Sequence, residues 1–173
     1  DNIHLGQDGV LRILDLGGGL GVPEKRDGRK LDLAELAAGL VEIRKAWPAY
    51  QIWLEPGRYV IAEAGVLVAT VTQTKGKGEV QYVGVSTGMN SLIRPALYGA
   101  YHEIANLSRW GEPAGEVVNI VGPICESGDR LGNERLLPPC REGDVLAIAN
   151  AGAYGYVMSS RYNLREPARE FAI

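Results

Sequence analysis

The chain has 173 residues, 46% of them hydrophobic and 23% charged, and a formal net charge of −3. That balance suits one globular domain of ordinary size or two small lobes, offers no basic surface for nucleic acid, and includes no run near the roughly 20 apolar residues of a membrane span. Two cysteines, Cys125 and Cys140, make no disulfide framework, and Asp1–His4 lacks the charged and apolar regions of a signal peptide, so a reducing cytoplasm is the expected setting.

In chain order, Val10–Leu16 is a mostly apolar run of strand length that ends in the triplet Gly17-Gly18-Gly19. It reads as a buried parallel strand. Asp32 is placed to cap the next helix, with Glu35 as its capping-box partner. Leu33, Leu36, Ala37, Leu40, Val41 and Ile43 form the helical stripe, and Pro48 ends it. Gln51–Leu54 is a second short strand. Residues 10–55 thus read as strand, loop, helix, strand: a βαβ unit. A short helix is expected over Tyr59–Glu63.

The character then changes. Val66–Thr74 is rich in β-branched residues, Lys75-Gly76-Lys77-Gly78 is a turn, and Glu79–Val85 completes a hairpin. Arg94–Tyr98 falls in a loop or strand. Glu116–Val121 and Asp144–Ala149 are further strands, and Ala151–Met158 is a helix. The expected fold is an α/β barrel remnant over residues 1–64, followed by a largely antiparallel β-barrel or sandwich domain over residues 65–173. A complete α/β barrel takes eight such units in about 250 residues. The chain is therefore expected to belong to a longer protein, or to have its N-terminal portion on another chain.

Several segments carry chemistry. A glycine triplet between strand and helix exposes consecutive N–H groups that suit a phosphate. It is equally a tight turn, and Val22 breaks the G-x-G-x-x-G dinucleotide pattern. Glu55 and Arg58 stand at a strand end, where barrel sites are built; a surface ion pair has the same signature. Arg94 and Tyr98 are a surface arginine and a core-edge tyrosine on that plainer reading, and Tyr154 a packed helix tyrosine. Cys140 is a small buried hydrophobe, whereas Cys125 precedes Glu126 and a Ser-Gly-Asp turn. His4 and His102 stand alone as surface or structural residues, with no metal constellation near either.

Five segments occur in a fixed order: Leu14–Gly21, Glu55–Arg58, Arg94–Ala100, Cys125–Asp129 and Gly152–Tyr156. Together they resemble the later part of the fold-type III pyridoxal-phosphate-dependent decarboxylases, in particular the diaminopimelate decarboxylases, over essentially the whole chain. The resemblance implies an α/β barrel with a C-terminal β domain, and the decarboxylation of meso-2,6-diaminopimelate to L-lysine. It assigns Gly17, Gly18 and Gly19 to the phosphate of pyridoxal 5'-phosphate, and Glu55, in a segment with Gly57, to the pyridine nitrogen. A carboxylate there keeps the ring protonated as an electron sink. Arg58 would face the cofactor phosphate or a substrate carboxylate. Arg94 and Tyr98 would bind the substrate's distal carboxylate, and Glu126 its distal amino group. Cys125 would donate a proton, its thiol form favoured by Glu126 and Asp129, and Tyr154 would touch both cofactor and substrate.

The resemblance also implies a homodimer with shared active sites, Cys125 and Glu126 serving the opposite subunit. Two departures stand out. Ser86-Thr87 and Ser91 replace acidic residues usual in the family, and none of Lys25, Lys30, Lys45, Lys75 and Lys77 has the strand-end context of the Schiff-base lysine. The alternatives are a related decarboxylase of ornithine, arginine or carboxynorspermidine, or a non-catalytic fragment or regulatory homologue.

Overall fold

The computed structural model describes residues 3–5, 11–77 and 80–173, Ile3–Leu5 as backbone only. Val10, Gly78 and Glu79, on which two expected strand starts and the end of the expected Lys75–Gly78 turn fall, lie outside the described residues; Lys75, Gly76 and Lys77, expected in that turn, are paired strand residues instead. The chain divides into two compact units, Asp1–Pro23 with Asp27–Val60, and Glu24–Arg26 with Ile61–Ile173.

In the first unit, β1 (Ile3–Leu5) pairs antiparallel with β2 (Leu11–Asp15), and β2 pairs parallel with β3 (Gln51–Trp53). The helix α1 (Leu33–Ala46) connects the parallel strands. Its start follows from Asp32, whose Oδ1 accepts from the N–H of Ala34 at 2.8 Å and of Glu35 at 3.1 Å. These are two of the four donors that a helix start leaves unpaired. Glu35 in the first turn and Arg44 and Lys45 in the last complement the helix dipole. The apolar stripe is present but uncovered: no residue of α1 is buried, and Leu33 and Val41 are 55% and 50% exposed. The antiparallel pairing of β1 was not anticipated, because three residues carry no readable pattern.

The helix α2 (Gly57–Ile61) and a 3-10 turn, Ala62–Ala64, lead into the second unit. Its strands are β4 (Leu67–Lys77), β5 (Val80–Val85), β6 (Ile104–Asn106), β7 (Glu116–Val121), β8 (Arg130–Leu137) and β9 (Val145–Ile148). They form one six-stranded sheet in the order β6-β9-β4-β5-β7-β8, and the outer strands β6 and β8 approach each other. The long strand β4 shows why the sheet curls. Its first half pairs with β9 and its second half with β5, with an irregularity between Val71 and Gln73. Along the first half Leu67, Ala69 and Val71 are buried while Val68 and Thr70 are exposed, the period of two that puts one face on a core. Leu92, Ile120, Leu131, Leu146 and Ile148 fill that core.

The sheet is largely antiparallel, as expected, but mixed, because β5 and β7 run parallel; two further expectations need correction. A parallel pair needs a long crossover, and residues 86–115 supply it, carrying the short helix α3 (Arg94–Tyr98) and β6. Arg94–Tyr98 is therefore helical rather than loop or strand, with Pro95 in its first turn, where the missing N–H does no harm. Finally, Ala151–Met158 is not a helix. Only Tyr156–Met158 forms a 3-10 turn, and Asn150 and Tyr154 both sit at φ 58°, where a right-handed helix cannot run. No helix among the described residues is long and apolar enough to cross a membrane.

Candidate functional site

In the first unit, β2 ends at Asp15, whose buried carboxylate accepts from the Gly17 N–H at 2.8 Å. Gly17 and Gly19 take φ 72° and 79°, values costly for residues with a Cβ. Between them, Gly18 lies so close to the Glu55 carbonyl oxygen that a Cβ there would collide with it. Glu55 in turn donates its N–H to Gly17 O at 2.8 Å, and Gly57 donates to Glu55 O at 2.8 Å. The triplet and the Glu55–Arg58 segment, 38 residues apart in sequence if counted from Gly17 to Glu55, are thus one hydrogen-bonded loop pair. Among the described residues, the N–H groups of Gly18, Gly19 and Leu20 meet no protein acceptor, and the space beside Gly19 and Gly21 is open. Unclaimed donors in open space at a strand end fit an anion such as a phosphate. No ion pair joins Glu55 to Arg58, so the plainer reading of that pair does not hold.

In the second unit, Arg94 and Tyr98 share one face of α3 by their i, i+4 spacing. Arg94 is 9% exposed and Tyr98 64% exposed. The Arg94 Nη1 lies 3.4 Å from Nε2 of His102, and His102 Nδ1 lies 2.8 Å from the Ala149 carbonyl oxygen. His102 therefore does not stand alone as the sequence suggested. Burial, opposed in part by the Ala149 hydrogen bond and reinforced by the neighbouring Arg94, holds its pKa below the usual 6.5.

Cys125 and Glu126 are exposed on the turn that follows β7. The Glu126 carboxylate accepts from the Gly128 N–H at 3.3 Å and from the Tyr162 hydroxyl at 3.4 Å. The turn is held from below by Asp129, which is 3% exposed. Its Oδ1 accepts from the Met89 N–H at 2.6 Å and its Oδ2 from the Ile124 N–H at 2.7 Å. Asp129 is therefore a tie between two loops. Tyr154 is exposed in the irregular segment after β9, and the neighbouring Gly155 packs near Leu92, just before α3. Cys140 is half-buried against the core, and burial pushes its thiol up.

Four residues that matter to these arrangements were not singled out for them in the sequence: His102, Asp129, Asn90 and Tyr162. Asn90 accepts the Ser160 N–H on its backbone carbonyl at 2.9 Å and donates its amide to the Glu166 carbonyl at 3.2 Å. Ser91, at a position where the family usually carries an acid, accepts from the Ala168 N–H at 2.8 Å. The loop 87–91 thus anchors both the Cys125 turn and the C-terminal segment. Its sequence signal, Gly88-Met89-Asn90, is only a turn signal.

Residues 3–62 match the model of the pyridoxal-binding domain of pyridoxal-dependent decarboxylases, and residues 58–152 match that of their C-terminal sheet domain. The chain belongs to the pyridoxal-dependent decarboxylase family. Within that family it is similar to proteins named diaminopimelate decarboxylase. The protein from Archaeoglobus fulgidus is 44% identical over 94% of this chain and 40% of its own length. The protein from Haemophilus influenzae is 44% identical over 98% of this chain and 41% of its own length. Among solved structures, diaminopimelate decarboxylase from M. jannaschii superposes with a TM-score of 0.82 at 36% identity, over 93% of this chain and 38% of that one. The enzyme from Helicobacter pylori, complexed with L-lysine, gives 0.77 at 36% identity, over 88% of this chain and 37% of that one. The chain thus spans about 40% of the length of the curated relatives it matches.

Proposed function

We propose that this chain is the C-terminal part of a diaminopimelate decarboxylase, which converts meso-2,6-diaminopimelate to L-lysine and carbon dioxide in the cytoplasm. Residues 1–64 are the closing units of its pyridoxal-binding α/β barrel and residues 65–173 its C-terminal β domain. The observation that carries the reading is the loop pair in which Gly17–Gly19 and Glu55 are hydrogen-bonded together, with N–H donors left open for a phosphate. The names of the relatives support the choice of substrate.

Bound there, pyridoxal phosphate supplies an electron sink for the pair left on carbon when carboxylate departs. The chain's own residues do the rest. Gly18 and Gly19 hold the phosphate by backbone N–H groups, while Gly17, whose N–H is taken by Asp15, turns the loop, and Glu55 stabilises the proton on the ring nitrogen. Arg58 neutralises a phosphate or carboxylate nearby. Arg94 and Tyr98 take the distal carboxylate, Glu126 takes the distal ammonium group, and Tyr154 lines cofactor and substrate. Cys125 in its thiol form donates a proton to the carbon that has lost carbon dioxide. No lysine of this chain is assigned as the covalent anchor.

The test is a substrate panel on the full-length polypeptide that carries this sequence. It should release lysine and carbon dioxide from meso-diaminopimelate, and turnover of ornithine, arginine or carboxynorspermidine instead would overturn the reading. Arg94→Lys keeps the charge and loses the planar fork. A hydrogen bond to a charged group is worth about 1.5–3 kcal/mol, so kcat/KM for meso-diaminopimelate should fall roughly 10- to 100-fold. L-lysine keeps the distal carboxylate, because the one lost is on the reacting carbon, so its Ki should rise by a similar factor; the Ki of 1,5-diaminopentane, which has no carboxylate, should change by less than about threefold. Equal losses for meso-diaminopimelate and 1,5-diaminopentane would remove Arg94 from the distal carboxylate.

The working form is proposed to be a homodimer in which Cys125 and Glu126 serve the partner's site. The ground is their exposure on a β-domain turn, a patch that a two-fold axis presents reciprocally. Mixing a subunit that lacks the anchoring lysine with a Cys125→Ala subunit should restore up to half of the full activity in the heterodimer. No recovery despite proven subunit exchange would place Cys125 in its own subunit's site.

A further inference from the structure

His102 joins two segments of the β unit that have no sequence relation. Its ring is 0% exposed, and both ring nitrogens are engaged. The Nδ1 partner is the Ala149 carbonyl oxygen at 2.8 Å. A carbonyl only accepts, so Nδ1 carries the proton. In the neutral ring Nε2 is then a bare acceptor, and it faces the Arg94 Nη1 at 3.4 Å. A guanidinium only donates. The Nδ1–H tautomer is therefore the one form of the ring that is attracted at both ends, and the Ala149 carbonyl selects it.

We propose that His102 is a positioning residue for Arg94: its Nε2 lone pair holds the guanidinium in the orientation in which it meets the second carboxylate of the substrate, and protonation of the ring abolishes that hold. The proposal rests on the assignment of Arg94 to the distal carboxylate made above. Orientation matters here because a planar fork binds a carboxylate with two parallel bonds only when it is aligned. A nearly buried arginine lacks the freedom of a surface chain to find that alignment by itself.

The charge balance around the ring gives the hold a direction in pH. Arg94 faces it from α3, Arg135 from β8, and Glu24 from the segment 24–26. Doubly protonated, the ring would set an N–H against the Arg94 N–H and place two cations together. Burial first, then Arg94 and Arg135, disfavour that form, while the Ala149 carbonyl and Glu24 favour it less strongly. The folded pKa is thus below the unfolded value of about 6.5. Between the two values the unfolded chain binds more protons than the folded one, so stability rises with pH there. The contribution of His102 is complete above about 6.5 and declines as pH falls below it.

The first experiment reads the tautomer directly. Long-range nitrogen–proton correlation of the imidazole in the wild-type chain above neutral pH should show Nδ1 protonated and Nε2 bare; the reverse pattern overturns the proposal. The second uses the full-length holoenzyme and compares the KM for meso-diaminopimelate with the Ki of 1,5-diaminopentane, which lacks the distal carboxylate. In His102→Asn the amide replaces Nδ1 and the acceptor at Nε2 is lost. The KM should rise about tenfold, with kcat and the 1,5-diaminopentane Ki little changed. In His102→Gln the side-chain oxygen reaches the place of Nε2, so the KM-to-Ki ratio should return to within about threefold of wild type. In the wild type that ratio should rise as pH falls through the folded pKa of His102, which burial holds below the usual 6.5, and in His102→Gln it should stay flat. A ratio that is flat in the wild type, or that moves equally in both variants, overturns the proposal whether or not the variants fold well. Arg94→Ala separates the two levels. If it leaves the ratio unchanged, the assignment of Arg94 falls and this proposal with it. If it moves the ratio and His102→Asn does not, only the role of His102 falls.

Discussion

Asp129→Ala is expected to lower the stability of the chain by about 3–5 kcal/mol, because it strips the acceptor from two N–H groups at once and each unsatisfied buried donor costs about 1–3 kcal/mol. The donors are Met89 N, 2.6 Å from Oδ1, and Ile124 N, 2.7 Å from Oδ2. The site has been shaped around the carboxylate. Gly88 and Gly122 both lie against it, and a Cβ on either would collide with its oxygens. The backbone closes the same knot: Gly122 donates to the Asp129 carbonyl at 3.0 Å, and Asp129 donates to Glu126 O at 3.0 Å. Urea unfolding should show a lower midpoint with an unchanged slope. Asp129→Asn keeps one acceptor and turns a donor toward the other N–H, so it should be destabilised as well. A loss below about 1 kcal/mol in the alanine variant would mean that water replaces the carboxylate and that the tie is dispensable. Because Cys125 and Glu126 lie within the knotted turn, its loosening should also raise the mobility of both side chains.

Hydrogen exchange should separate the two units by at least a hundredfold in protection, on the principle that local opening spans the range from near zero to the full unfolding free energy. In the second unit the amides of β4, β5, β7 and β9 lie over a continuous core of fully buried aliphatic side chains. In the first unit, Asp15 and Val22 are the buried residues among those described. The helix α1 has 14 residues and none of them is buried. A helix of that length is marginal without tertiary packing, and parallel strands depend on cover over both faces. The uncovered stripe of α1 and the 49% exposure of Trp53 on β3 leave that requirement unmet. Exchange measured by mass spectrometry on the monomeric chain should therefore find α1, β2 and β3 exchanging early. Equal protection across both units would show that the first unit is stable by means not visible in its burial.

Much of this was readable in the amino-acid sequence, where the governing physics is local. The Asp32 cap and the α1 stripe depend on residues within one or two turns. The strand at Leu67–Thr74 follows from its β-branched residues, although only the structure shows that Leu67, Ala69 and Val71 face the core while Val68 is exposed. The glycine triplet and the order of the five segments carried the resemblance that the family models bear out. Local patterns failed where distant contacts set the backbone. The strand β8 reads Arg-Leu-Gly-Asn-Glu-Arg-Leu-Leu, too polar and irregular to be seen alone, and it exists because β7 offers it a ladder. The helix expected over Ala151–Met158 yields because Gly152 packs on the Ile61 and Gly65 backbone, and Gly152 N donates to Ala62 O at 3.1 Å.

By itself, then, the sequence determined the family, the glycine loop and the identity of the polar residues available to a site. Tertiary structure alone decided which of them act on one another. Gly17 and Glu55 meet because β2 and β3 pair in parallel, which brings their ends side by side. Asp129 ties two loops together because the chain returns to Met89 at its side. His102 faces Arg94 with a lone pair because a carbonyl 47 residues further along the chain takes the proton on its other nitrogen, and no spacing in the sequence encodes the direction of a hydrogen bond.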